Sequence, residues 1–326
     1  MRPELQALAA SQGGAFLRYQ ALACGYSKRE IEVLLRSREW VRLRWGAYAE
    51  GTLVDVLDEA GRYRLQVQAA LLRFDPPAYA THNSAAVLHQ LPLWGTDLSR
   101  VHVTRPDVHG GRKQAGVTHH EASIADEDRM EIDAVPCSSL RRTAIDVARE
   151  FGFRPGVVAA DAALRRGADH TGMLRLAHSM RDWPGSAQTL QVVRFADPGA
   201  ESPGESLARI FLVEIGFPCP RTQVVIRSGN FMARVDMLIE ELNWVLEFDG
   251  RMKYRRKRDD CDPVMDDGDV VWAEKQREDV LRDDLDHPVS RLVWADLFGR
   301  RRRAAAQRLW AKAERLGAPR HWRRSA

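Results

Sequence analysis

In the segment ARVDMLIEELNWVLEFDG, Ala233 to Gly250, a short polar joint separates two apolar runs that three carboxylates interrupt: Asp236 in the first run, Glu247 and Asp249 in the second. Alternate residues of a strand share one side, and carboxylates facing each other across two strands repel. A hairpin turning at Glu241-Leu242 would set Asp236 opposite Glu247 and Arg234 opposite Asp249. A divalent cation between the first pair reverses the sign of their interaction, and Mg2+ favours carboxylate oxygens completed by water. Such an ion polarises a phosphate oxygen and lowers the pKa of a bound water for in-line attack. Asp249 has two readings here, as the ion-pair partner of Arg234 or as part of the metal shell.

The elements that would position these acids begin after ADPGAESPGES, residues 196–206, a linker by composition. The pattern then runs helix (ESLARIFLVEIG), three strands (RTQVVIRSG, ARVDMLI, NWVLEFDG), helix (AEKQREDVLRDDL), strand (RLVWADL) and a basic C-terminal segment. That order predicts an α/β sandwich with a mixed sheet over residues 197–326. Glu205 follows Ser202 by three residues, the spacing of a helix capping box, so a structural role is sufficient for it. From Gly299 onward there are ten Arg or Lys and one Glu, against a whole-chain net charge of +4, so the rest of the chain is net acidic. A basic tail led by Arg300 and Arg301 on such a chain points to a polyanionic partner.

The N-terminal residues 1–52 read as a winged helix-turn-helix. PELQALAASQGG and RYQALACG are short helical patterns closed by Gly, and SKREIEVLLRSR opens with Ser27 and Glu30 at capping-box spacing. Ile31, Leu34 and Leu35 give this third helix a single buried stripe, and EWVRLRWGAYAEG alternates as a hairpin in the wing position. Lys28, Arg29, Arg36, Arg42 and Arg44 crowd the helix and wing, where they would meet the major groove and phosphates of double-stranded DNA.

Residues 60–196 predict a further α/β region. THNSAAVLHQLPLWG and SSLRRTAIDVAREFG are capped helices, RVHVTRPD and AGVTHHEA are strands, and RPGVVAADAALRRG carries Pro155 near its start and Gly167 at its end. Arg142 and Asp146, one helical turn apart, form an ion pair in this reading. His82, His89, His119 and His120 have neither a neighbouring Cys nor a His-Glu-x-x-His spacing, and read as ordinary histidines rather than zinc ligands. Cys24, Cys137, Cys219 and Cys261 form no Cys-x-x-Cys pair, which fits free thiols in a reducing compartment. With no membrane-spanning run and no signal peptide in MRPELQALAASQGG, a cytoplasmic protein is expected.

The segment from about 202 to 298 resembles the PD-(D/E)XK nuclease superfamily, in the branch similar to very-short-patch-repair endonucleases. ESPGES, Gln223, RVDMLI, LEFDG, KQREDVLR and VSRLVWADL carry the likeness. It implies a restriction-endonuclease-like fold, Mg2+ as cofactor and Asp236 and Glu247 as the metal-binding acids. Glu205 would be an outer acidic ligand, and Arg277 a basic residue near the scissile phosphate. Asp249 falls where the superfamily usually has Lys, and Lys253 stands where many members of the branch have His; as a proton acceptor it needs a depressed pKa. Residues 259–269, within RRKRDDCDPVMDDGDVVW, belong to neither pattern and read as a solvated acidic insertion.

The N-terminal two thirds is similar to the AbiEi-type antitoxin and regulator family, through RYQALACGYSKREIEVLLRSREWVRLRWGAYA, THNSAAVLHQLPLWG and VPCSSLRRTAIDVARE. That likeness implies a winged helix followed by an α/β region and repression of a toxin operon, with a cognate toxin as partner. The expectation is therefore a multidomain α/β protein that binds DNA. It would either hydrolyse phosphodiester bonds with Mg2+ or act as a non-catalytic antitoxin and repressor.

Overall fold

Ser27 and Glu30 form the capping box that their spacing predicts: the Ser27 hydroxyl accepts from the Glu30 amide at 3.1 Å, and the Glu30 carboxylate from the Ser27 amide at 2.6 Å. In a computed structural model that describes residues 1–74, 78–229, 231–250, 280–281 and 285–324, this box starts the third of three short helices. They are α1 (Pro3–Ser11), α2 (Arg18–Ala23) and α3 (Lys28–Arg36). Ile31 is fully buried, with Leu34 and Leu35 packed against the same cluster of Leu5, Phe16, Trp40 and Tyr48. Strands β1 (Phe16–Leu17), β2 (Trp40–Arg44) and β3 (Ala47–Glu50) make an antiparallel sheet in the order β1-β3-β2, and the β2–β3 hairpin turns at Trp45 and Gly46. Gly46 sits at φ 72°, a left-handed turn position that favours glycine.

The chain forms two compact units, Met1–Ala196 and Asp197–Ala326. The first also contains α4 (Gly51–Val56), α5 (Glu59–Leu71), α6 (His82–Leu88), α7 (Leu140–Phe151), α8 (Phe153–Arg165), α9 (His170–Ser179) and α10 (Thr189–Phe195). Its second sheet is mixed and six-stranded: β4 (Tyr79–Ala80), β5 (Val101–Arg105), β6 (Arg112–Gln114), β7 (Val117–Glu121), β8 (Arg129–Ile132) and β9 (Val135–Ser138), in the order β6-β7-β5-β4-β9-β8. Strands β5 and β7 run parallel, as do β4 and β9. The Ser139 hydroxyl caps α7 by accepting from the Arg142 amide. The expected ion pair of Arg142 with Asp146 is present at 2.9 Å, with both side chains buried.

In the second unit α11 (Pro203–Glu214) precedes a four-stranded sheet of β10 (Arg221–Ser228), β11 (Phe231–Ile239), β12 (Trp244–Asp249) and β13 (Val289–Val293), in that order. The first three strands are antiparallel, and β13 lies parallel to β12. Short α12 (Trp294–Leu297) and the basic α13 (Gly299–Arg315) follow. Segment 197–206 is less of a free linker than its composition suggests, because Ala200 is buried and Ser202 already caps α11. Trp244 is fully buried and its indole donates to the Ser290 hydroxyl; replacing a Trp so placed by Ala costs about 3–5 kcal/mol.

Two details differ from expectation. The hairpin between β11 and β12 has the predicted register, pairing Met237 with Leu246, Leu238 with Val245 and Ile239 with Trp244. The connection, however, is a 3-10 turn over Glu240–Leu242 followed by Asn243 at φ 46°, rather than a two-residue turn. The strand expected over RLVWADL stops at Val293, where the Asp296 carboxylate accepts from the Val293 amide and begins a helix. Of the helix expected over residues 273–285, only Val280, Leu281 and Leu285 are described; Leu281 is buried in the cluster of Ile226, Val235, Leu238 and Val245. Cys24, Cys137 and Cys219 are free thiols, and Cys261 lies outside the described residues.

Candidate functional site

The carboxylates stand where the sheet of the second unit loses its regularity. Pairing between β10 and β11 is continuous on both sides of Gln223 and Asp236 but not at them, and Gln223 takes φ 50°. Its side-chain amide donates to Glu205 at 3.3 Å. On the other side of β11 the ladder with β12 runs from Ile239 to Met237 and stops before Asp236 and Glu247. There the Asp236 carboxylate accepts from the Phe248 amide at 2.9 Å, in the place of a ladder carbonyl. Asp236 and Glu247 are each half-buried at this parting of the strands.

Glu205 is held by the end of α11. Its carboxylate accepts from the Glu201 amide and the Ser202 hydroxyl, both at 2.8 Å. Burial pushes the Glu205 carboxyl above its usual range, against these hydrogen bonds, and the neighbouring Asp236 charge adds to the rise. Gly204 lets strand and helix approach: a Cβ there would sit 1.9 Å from the Phe248 ring. Glu247 lies 3.8 Å from the Arg291 guanidinium, its register partner on β13. Arg234, expected opposite Asp249, instead forks onto Glu201 at 3.0 and 3.1 Å. Asp249 ends β12 half-buried, in register with Val293. Lys253, Arg277 and the acidic stretch 259–269 lie outside the described residues.

Oxygen donors of this kind suit Mg2+, which commonly takes one or two carboxylates and completes its octahedron with water. The Asp236 carboxylate has a second oxygen beyond the one on Phe248, and Glu247 adds another acid from the neighbouring strand, so the residues fit that ion.

The basic residues fall in two places. On α3, Lys28, Arg29 and Arg36 are exposed. Arg42, on β2, is exposed with its guanidinium 5.9 Å from the Trp45 ring. Arg44 is placed differently: it is half-buried and donates to the Ala115 carbonyl in the β6–β7 turn. Burial, with Arg73 nearby, lowers its pKa. Arg73 in turn donates to the Trp45 carbonyl at 2.5 Å. In the second unit Arg300 and Arg301 open α13 and are exposed, while Arg302 turns back to Glu214.

Sequence reasoning missed one constellation. His82 at the start of α6, His102 on β5 and His120 on β7 bring ligand atoms within 4.8 Å of one another. No other set of three or more His, Cys, Asp or Glu does so among the described residues, the carboxylates above included. His102 Nδ1 lies 3.0 Å from His120 Nε2, and the His82 and His120 rings stack at 3.8 Å. His82 and His102 are buried, and His82 holds φ 52° with Nδ1 3.0 Å from the Thr81 hydroxyl. Burial drives all three toward the neutral form: His82 well below its ordinary value, His102 to about 4 and His120 to about 3. Local spacing could not find the set, because its members come from three elements. What brings His102 and His120 together is the parallel pairing of β5 with β7, in which they are offset by two residues.

Comparison with family models and with curated protein sequences finds no match for this chain.

Proposed function

We propose that this chain is a DNA-binding protein whose second unit is a restriction-endonuclease-like domain that hydrolyses phosphodiester bonds with Mg2+ at Asp236 and Glu247. The observation that carries this reading is the interruption of the β11–β12 ladder before those two acids, which leaves both half-buried, with Asp236 close enough to Glu205 to raise its pKa. When bound, Mg2+ would polarise a phosphate oxygen and acidify a coordinated water. The Phe248 amide fixes the Asp236 carboxylate, and Gln223 with the α11 cap fixes Glu205, so the acids do not need to be ordered when DNA arrives. Residues 1–52 would act as a winged helix-turn-helix, with Lys28, Arg29, Arg36 and Arg42 on the duplex and Arg300 and Arg301 on phosphates elsewhere. The Arg44 bond to Ala115 favours a role in holding the wing rather than in contacting DNA.

The test is cleavage of supercoiled and linear DNA by the purified full chain in Mg2+ or Mn2+, beside Asp236→Asn and Glu247→Gln. Cleavage by the parent and loss in both variants supports the reading; equal cleavage by Asp236→Asn ends it.

A second reading is a non-catalytic antitoxin and repressor with a cognate toxin as partner. It is favoured by Asp249 at the position where the superfamily has Lys, and by the exposed cationic face of the Ser27-capped α3. It predicts salt-dependent binding to the chain's own promoter without cleavage in any divalent metal. Each of Lys28→Ala and Arg29→Ala should then flatten the salt dependence by about one counterion.

A further inference from the structure

The histidine cluster of the first unit is independent of the carboxylate reading, and it has its own chemistry. We infer that His82, His102 and His120 bind one divalent transition-metal ion of the zinc class, with a further coordination position open to the cavity beside them.

Three observations carry this. The donor set is all imidazole, which suits Zn2+, Cu2+, Ni2+ or Fe2+ and is a poor match for Mg2+ or Ca2+. Its atoms lie within 4.8 Å of one another, and the closest pair, His102 Nδ1 to His120 Nε2, is separated by 3.0 Å. Two nitrogens on a tetrahedral zinc with bonds of about 2.0–2.1 Å stand roughly 3.4 Å apart, so this pair needs only a small opening. Finally, the cluster borders a cavity of about 710 Å³ lined by His82, His120, Thr104, Arg149 and Trp183 among others. Three ligands with room for a fourth is the arrangement of a reactive metal centre rather than of a closed structural one.

The surroundings support a ligand role. The Thr81 hydroxyl engages His82 Nδ1 and is itself 2.9 Å from the Thr104 hydroxyl, an outer pair that fixes the ring and leaves Nε2 for an ion. Imidazoles kept neutral by burial have lone pairs to donate without first shedding protons. The nearby guanidinium groups do not make the site hostile to a cation. Arg142 and Arg149 both bond Asp146, and Glu121 and Glu150 line the same cavity. Convergence on one ion requires the stacked His82 and His120 rings to tilt apart, a rotation about side-chain bonds.

The experiment uses untagged, chelator-treated full-length protein titrated with Co2+ and then Zn2+. One equivalent of Co2+ should give the visible d–d absorption of a nitrogen-ligated, low-coordinate ion, and Zn2+ should displace it. His102→Gln and His120→Gln should each weaken Zn2+ binding by about 100-fold or more, whereas His178→Gln, on the exposed face of α9, should leave it unchanged. X-ray absorption of the zinc-loaded parent protein should show three imidazole ligands, a readout that stands even where a variant does not fold. Absence of one-to-one binding by the parent overturns the inference. So does an oxygen-dominated shell, or Zn2+ affinity unaffected in a folded His102→Gln.

Discussion

His82, His102 and His120 meet where a helix start and two parallel strands converge, with two of the three side chains buried. Asp236 and Glu247 sit where strands part, with Glu205 on α11, and among the described residues no three carboxylates approach as closely as the imidazoles do. The difference follows from the charge of the donors. Neutral rings can be buried together at modest cost, while carboxylates crowded without an ion repel and must keep some water. On the inference above, the first arrangement would suit a borderline transition metal; on the proposed function, the second would suit a hydrated Mg2+.

The comparison extends to the ion pairs beside each cluster and can be broken most sharply there. Arg142→Ala would leave the fully buried Asp146 with Arg149 alone; loss of one partner of a buried pair costs about 3–5 kcal/mol, and the surviving 3.2 Å contact sets the expectation at the lower end, read by urea unfolding. Next in size, Asp236→Asn should lower Mg2+-dependent cleavage by about 100-fold or more without changing the unfolding midpoint by a comparable amount.

Acid titration separates the two regions by sign. Because His102 and His120 have folded pKa values near 4 and 3, below the ordinary 6.5, the unfolded chain takes up protons first as pH falls. Metal-free protein should therefore lose stability below about pH 6.5, by up to about 1.4 kcal/mol per pH unit for each such histidine. His102→Gln should shallow that slope. Glu205 works in the opposite direction: its carboxyl is raised by burial, so its contribution is present at low pH and lost as pH rises through the folded value. Glu205→Gln should remove this opposing component from stability profiles measured above pH 4.5, its ordinary value. The smallest effect belongs to Arg234→Ala. Its pair with Glu201 is exposed on both sides, and its loss should cost less than about 1 kcal/mol in the same unfolding assay.

Local signals were read well from sequence where a few neighbouring residues decide the outcome. Ser27 with Glu30 and Ser202 with Glu205 mark helix starts, and a turn centred on Glu241-Leu242 gives the register in which Met237, Leu238 and Ile239 pair with β12. The turn length was not legible, because Asn243 adopts a left-handed conformation that its neighbours do not announce. The helix start at Trp294 was hidden by a hydrophobic run that suits a strand equally well, with Asp296 as the cap. The histidine cluster was illegible for a different reason: only the parallel pairing of β5 with β7 brings His102 and His120 together, and pairing of distant strands leaves no local pattern.

The bonds from Arg44 to Ala115 and from Arg73 to Trp45 have a mechanical consequence. The first braces the β2–β3 hairpin against the β6–β7 turn and the second against the end of α5, and β7, which leaves that turn, carries His120 near its far end. A nucleic acid gripping the hairpin would meet a surface already set, with little entropy left to lose on docking. Any displacement of β7 along its own axis would reach the hairpin through the Arg44–Ala115 bond, while the Arg73–Trp45 bond holds the tip to α5.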